Sequence, residues 1–163
     1  MIFQILEKLD KKFHFEQAQA HCDIPCGIYD PITAQIAALT VVRMMDLMAG
    51  LQSGETKDTL EFHNTMDRYI NVKEEHAEKV KQEIRVIWGD YFKKDKHPNV
   101  DDLVQRIMQL GSKTRQTADR ESGLALVNAV NEFAEIFWGT KDVKIKKAKA
   151  PYAPNLEMVY PDL

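Results

Sequence analysis

Three candidate metal donors stand within six residues near the N-terminus: His21, Cys22 and Cys26, with Asp23 beside them. One imidazole and two thiolates make a soft site that suits zinc, copper(I) or nickel. Two cysteines this close cannot staple a fold, because the loop they would close is trivial, so the pair is either chemical or accidental. A different donor set arises if the chain is cut after Ala20. His21 then carries a free α-amine. That nitrogen and the Cys22 amide nitrogen close a five-membered ring around one metal, and the Cys22 thiolate closes a second. Cys26 supplies the fourth in-plane donor. The result is a square-planar N2S2 set, which Ni(II) or Cu(II) prefers and Zn(II) does not. Anionic thiolates and a metallated amide lower the potential needed to reach Ni(III). The His21 imidazole, beside the plane, can bind axially in the oxidised state, so such a site can cycle by one electron. Pro25 and Gly27 permit the tight reversal that returns Cys26 to the metal.

The segment before the donors has features of a leader. Ala18-Gln19-Ala20 has the small-x-small pattern of a signal-peptidase site, but Glu7, Lys8, Asp10, Lys11 and Lys12 interrupt any secretory apolar core. Ile2, Phe3, Leu6, Leu9 and Phe13 recur at helical spacing. Residues 1–20 are best described as a short amphipathic leader. The alternative is a docked helix that stays on the protein.

Downstream, the chain reads as four helices. Two prolines, a glycine and two aspartates keep residues 21–31 irregular. Asp30-Pro31 predicts an N-cap and first helical residue. Helix 1 should then run to about Gly50. Helix 2 starts at Thr56 or Leu60, runs to about Trp88 and ends in Trp88-Gly89-Asp90-Tyr91-Phe92-Lys93. Helix 3 starts at Asp101 and Asp102 and ends between Gly111 and Asp119. Helix 4 spans about Arg120 to Trp138, with Gly139 as a left-handed terminator. Nothing alternates with period two over a useful length. The expected fold is all-α, an up-and-down four-helix bundle over residues 32–140 with an irregular N-terminal metal-binding hook at 21–31.

Composition fits that scale. The chain has 163 residues, 44% of them hydrophobic, enough for one domain that needs no staple. Net charge is −3, which excludes a chain built as a nucleic-acid footprint. No apolar run reads as a membrane span, and a cytoplasmic, bacterial-type location is expected. Residues 21–140 carry 14 Lys+Arg against 19 Asp+Glu, whereas residues 141–163 carry five lysines against three acids. That basic, proline-containing tail reads as a solvated extension, the alternative being contact with an anionic partner.

The run His21-Cys22-Asp23-Ile24-Pro25-Cys26-Gly27-Ile28-Tyr29-Asp30-Pro31 closely resembles the nickel hook of nickel superoxide dismutases. The resemblance continues in Trp88-x-Asp90-Tyr91-Phe92-Lys93 and in Phe137-Trp138-x-Thr140-Lys141, covering roughly residues 21–141. It implies a homohexamer of four-helix bundles, matured by a protease that exposes the histidine amine. It also implies one nickel ion per subunit, cycling between Ni(II) and Ni(III) to convert superoxide to oxygen and hydrogen peroxide. By the same resemblance His21, Cys22 and Cys26 are the nickel ligands. Tyr29 gates anion approach, Tyr91 pairs with it, the Asp23 backbone helps define the pocket, and Lys93 attracts the anion at the entrance. Two positions depart from the family pattern: Ala37 and His76 stand where a glutamate and an arginine hold the axial imidazole, so His76 or a water is expected to take that part.

Two other functions fit the residues without the resemblance. A metal-trafficking or zinc-binding helical module would use an uncleaved His-Cys-x3-Cys set. A helical interaction protein would carry the thiols incidentally.

Overall fold

A computed structural model describes residues 27–93 and 96–163. The first helix begins one residue later than Asp30-Pro31 predicts, with Pro31 at the N-cap: the Asp30 carboxylate accepts from the Ile32 backbone N–H at 2.8 Å, and Gln35 N–H returns to the Pro31 carbonyl at 3.0 Å. Helix α1 then runs Ile32–Ser53, α2 Leu60–Val86, α3 Val100–Gln116 and α4 Arg120–Gly139. Thr59 caps α2 by accepting from Phe62 N–H, and Asp119 caps α4 by accepting from Glu121 N–H.

Each helix packs on its sequence neighbours, and α1 packs on α4 to close the ring, so the bundle is up-and-down. The four apolar stripes meet in one core. Ala34, Ala38, Val41 and Val42 of α1 face Ala77, Val80 and Ile84 of α2, Ile107 of α3, and Leu126, Val130, Phe133 and Phe137 of α4, all fully buried. Small residues on α1 leave room for the two phenylalanines of α4. Gly123 marks the closest approach of these helices: a Cβ there would stand 3.0 Å from Val42 Cγ2 and Met45 Sδ. Helix α1 is long and apolar enough, by length and composition alone, to cross a membrane. It nevertheless packs inside the bundle against α2 and α4, and its Asp46 pairs with Arg120 at 2.6 Å. The expectation that no run has span-like composition is corrected to that extent.

Two further features were not foreseen. The end of α2 is wound wider, as a π turn over Ile87–Tyr91 closed by Phe92 N–H to the Ile87 carbonyl at 3.4 Å. The expected solvated tail is instead an antiparallel hairpin, β1 (Ile145–Lys149) paired with β2 (Glu157–Pro161), with Ile145 opposite Pro161. Ala150, Met158 and Val159 are buried, which is why it stays on the protein. A buried polar pair clasps it: Gln35 Nε2 donates to Asn131 Oδ1 at 2.9 Å and to the Val159 carbonyl at 3.1 Å, while Asn131 Nδ2 donates to the Glu157 carbonyl at 2.8 Å. Two of the tail lysines are paired as well, Lys147 with Glu135 and Lys146 with Asp162.

One buried cation fixes the other end of the bundle. Lys73 is 2% exposed, and its ammonium donates to the carbonyls of Thr114, Arg115 and Thr117 at 2.5, 2.8 and 3.1 Å. These are carbonyls that the end of α3 would otherwise leave bare. Burial pushes the Lys73 pKa below the ordinary lysine value, with Glu74 opposing.

Candidate metal centre

His21, Cys22, Asp23 and Cys26 lie outside the described residues. Among the described residues no group of three His, Cys, Asp or Glu is placed to hold a metal. What the structure does describe is the corner that receives the chain after Cys26. Gly27 has φ +80°, a left-handed conformation that costs glycine little, and the Asp30 carboxylate then accepts from Ile32 at the start of α1. Tyr29 follows Cys26 by three positions, at most about 11 Å of extended chain.

At this corner the structure brings Tyr29 and Tyr91 together. Both are half-buried and packed against the core, with ring centroids 5.9 Å apart and planes tilted by 54°. Tyr91 closes the π turn, while the next residue, Phe92, goes into the core against Phe133 and Phe137. The Tyr91 ring lies 5.0 Å from that of Phe137, and its hydroxyl is 2.6 Å from Thr140 Oγ1. Thr140 in turn donates to the Phe137 carbonyl at 2.7 Å. The ammonium of Lys141 stands over two of these rings, 4.9 Å from the centroid of Tyr91 and 5.2 Å from that of Phe137.

Lys93 is exposed and opens onto a different groove, of about 290 Å³, lined also by Trp88, Gly89, Phe92, His97 and Asp101. Trp88 Nε1 donates to Asp101 there at 2.9 Å. Neither tyrosine of the pair lines that groove. Ala37 is buried in the core. His76 is half-buried and donates from Nδ1 to the Val72 carbonyl of its own helix at 2.9 Å. Fifteen residues of helix, roughly 22 Å of rise, separate it from Tyr91, so it is not brought to the tyrosine corner. Sequence reasoning gave no role to Thr140 and Lys141, which reach Tyr91 from just beyond the end of α4. Their only signal was the Phe137-Trp138-x-Thr140-Lys141 run itself.

Comparisons with known proteins point to one family. Residues 16–141 match the model of a family described as nickel-containing superoxide dismutase. A superoxide dismutase [Ni] of Streptomyces coelicolor is 34% identical over 125 residues, covering 75% of this chain and 88% of that protein. Its counterpart from Streptomyces seoulensis is 33% identical over 128 residues, covering 77% and 91%. A native crystal structure of nickel superoxide dismutase superposes with a TM-score of 0.63 at 34% identity, covering 74% of this chain and 99% of that one. The family match ends at Lys141, so the hairpin lies beyond it.

Proposed function

The chain belongs to the nickel-containing superoxide dismutase family, and on that premise we propose that His21, Cys22 and Cys26 hold its nickel once residues 1–20 are removed. The donor set fits the ion: two thiolates, an α-amine and an amide nitrogen are soft or strongly donating ligands. Bound there, nickel supplies a one-electron Ni(II)/Ni(III) couple, through which two superoxide ions and two protons become one dioxygen and one hydrogen peroxide.

The chain's own residues do the rest. Tyr29 and Tyr91 wall the approach, so that a diatomic anion passes between two phenols held at fixed spacing. By resemblance to the family, the Asp23 backbone would help define the same pocket, and Lys93 would add positive charge on the flank of the α2 terminus. Cleavage before His21 matters because the His21 nitrogen is an amide until the leader leaves and an amine afterwards. A maturation protease is therefore a partner. The active assembly is a homohexamer in the cytoplasm, in which a neighbouring subunit shields the short hook from water.

The observation that carries this reading is the position of Tyr29. It follows Cys26 by three residues and packs 5.9 Å from Tyr91. Intact mass, metal analysis and superoxide decay test it together. Protein beginning at His21 is expected to hold one nickel per chain and to be active. Leader-bearing protein incubated with nickel is expected to show no activity above free nickel. Equal activity in the two forms would overturn the maturation step.

A further inference from the structure

We propose that Lys141 is the cation that draws superoxide to the tyrosine corner, an inference that rests on the nickel dismutase reading above. The chain's net charge is −3, so its overall field disfavours a small anion. Charges steer only within about 10 Å at 0.1 M salt, so a steering cation must sit at the mouth itself. Lys141 meets that condition by contact, 4.9 Å from the Tyr91 centroid. Lys93 instead lines the groove beside Trp88, which neither tyrosine lines.

The position of Lys141 is held from both ends. Its backbone N–H donates to the Trp138 carbonyl at 3.0 Å, and Val143 N–H reaches the same carbonyl at 3.2 Å. Asp142 between them takes the left-handed conformation, with φ +55°. At the other end the ammonium rests over Tyr91 and Phe137, inside the roughly 6 Å reach of a cation–π contact. Two ring faces hold the ammonium without neutralising it. No carboxylate among the described residues forms an ion pair with Lys141, whereas Lys81, Lys113, Lys146 and Lys147 each have one. An unneutralised ammonium against the Tyr91 ring attracts an anion arriving between Tyr29 and Tyr91.

The competing account is that Lys141 only complements the negative end of the α4 dipole. It predicts a small loss of stability and no change in anion attraction. Nickel-loaded parent, Lys141→Met, Lys141→Arg and Lys146→Met separate the two. One measurement is the bimolecular rate of superoxide decay against ionic strength. The other, without turnover, is the affinity for azide, a small monoanion, read from the tyrosine ultraviolet difference spectrum. At low salt Lys141→Met should lose about threefold or more in both, with the gap closing as salt rises. Lys141→Arg should keep the parent's values, and so should Lys146→Met. A Lys141→Met protein with the parent's azide affinity and salt dependence would overturn the proposal while leaving the dismutase reading intact. A parent without nickel-dependent activity would sink both.

Discussion

Tyr91 donates its phenolic proton to Thr140, and the direction follows from the neighbouring bond. Thr140 has one hydroxyl proton, which points at the Phe137 carbonyl 2.7 Å away, so its oxygen can only accept from the Tyr91 hydroxyl at 2.6 Å. The chain Tyr91 to Thr140 to Phe137 ties the end of the π turn to the last turn of α4. The phenol beside Tyr29 is thereby fixed in rotation and holds its proton away from the approach.

Thr140→Val removes that acceptor at nearly constant volume. Stability should fall by about 1 kcal/mol, the usual worth of one such bond. The rate of superoxide decay should fall severalfold at unchanged nickel content, and Thr140→Ser should restore both. Denaturant unfolding and superoxide decay on the three proteins check this. Parent-like values for Thr140→Val in both would show that Tyr91 is placed by packing alone.

Cys22→Ser and Cys26→Ser should each remove dismutase activity and leave the helical bundle standing. A serine hydroxyl is a hard, weak donor and does not replace a thiolate at a nickel centre. Among the described residues the core is built from the four helices and the hairpin, from Ala34 to Met158. The circular dichroism spectrum should therefore keep its helical shape and amplitude. Appreciable dismutase activity in either variant would reject that cysteine as a ligand.

The four helices were legible because their apolar residues recur at helical spacing and because Asp30-Pro31 marks one start to within a residue. The Tyr29–Tyr91 pairing was legible only through the resemblance, since the two stand 62 positions apart in the chain. The end of α4 was misplaced for a local reason. Gly139 was expected to be the left-handed terminator, but it stays in the helix, and Asp142 is the residue with positive φ. The π turn leaves no mark in residue type. The hairpin was hidden because each strand has five residues and the burial does not alternate. Met158 and Val159 are buried in succession, and exposed lysines make up most of β1. Its hold on the bundle comes from Gln35 and Asn131, which are 96 residues apart.

Lys73 gives a pH prediction with a definite sign. Its folded pKa lies below the ordinary 10.5 because burial disfavours the charged form. Between the two values the unfolded chain binds more protons than the folded one, so stability rises with pH in the window just below 10.5. Lys73→Met should abolish that rise. At about pH 7 it should also cost about 1–3 kcal/mol, because the carbonyls of Thr114, Arg115 and Thr117 lose their donor. Denaturant unfolding of both proteins from neutral to alkaline pH gives the two slopes. Identical slopes would mean that Lys73 titrates alike in the folded and unfolded chains.

The hairpin should come off the bundle when its clasp is cut. Asn131 is 9% exposed and bonds in two directions, accepting from Gln35 and donating to the Glu157 carbonyl. Asn131→Leu keeps the bulk and loses both bonds. Gln35 retains the Val159 carbonyl, so the hairpin is weakened without every partner being stranded. A loss of about 1.4 kcal/mol would open the hairpin about tenfold more often. The exposed lysines of β1 are tryptic sites, and cleavage there tracks the open fraction when reclosing is fast. Trypsin should therefore cut Asn131→Leu about tenfold faster within residues 144–149, while α1 to α4 stay protected and helicity is unchanged. Because the hairpin lies beyond the family match, superoxide decay should remain at the parent's rate. Faster cleavage throughout the chain would instead make the hairpin an inseparable part of the bundle. Cleavage at the parent's rate would mean that burial of Met158 and Val159 holds the hairpin without the Gln35–Asn131 clasp.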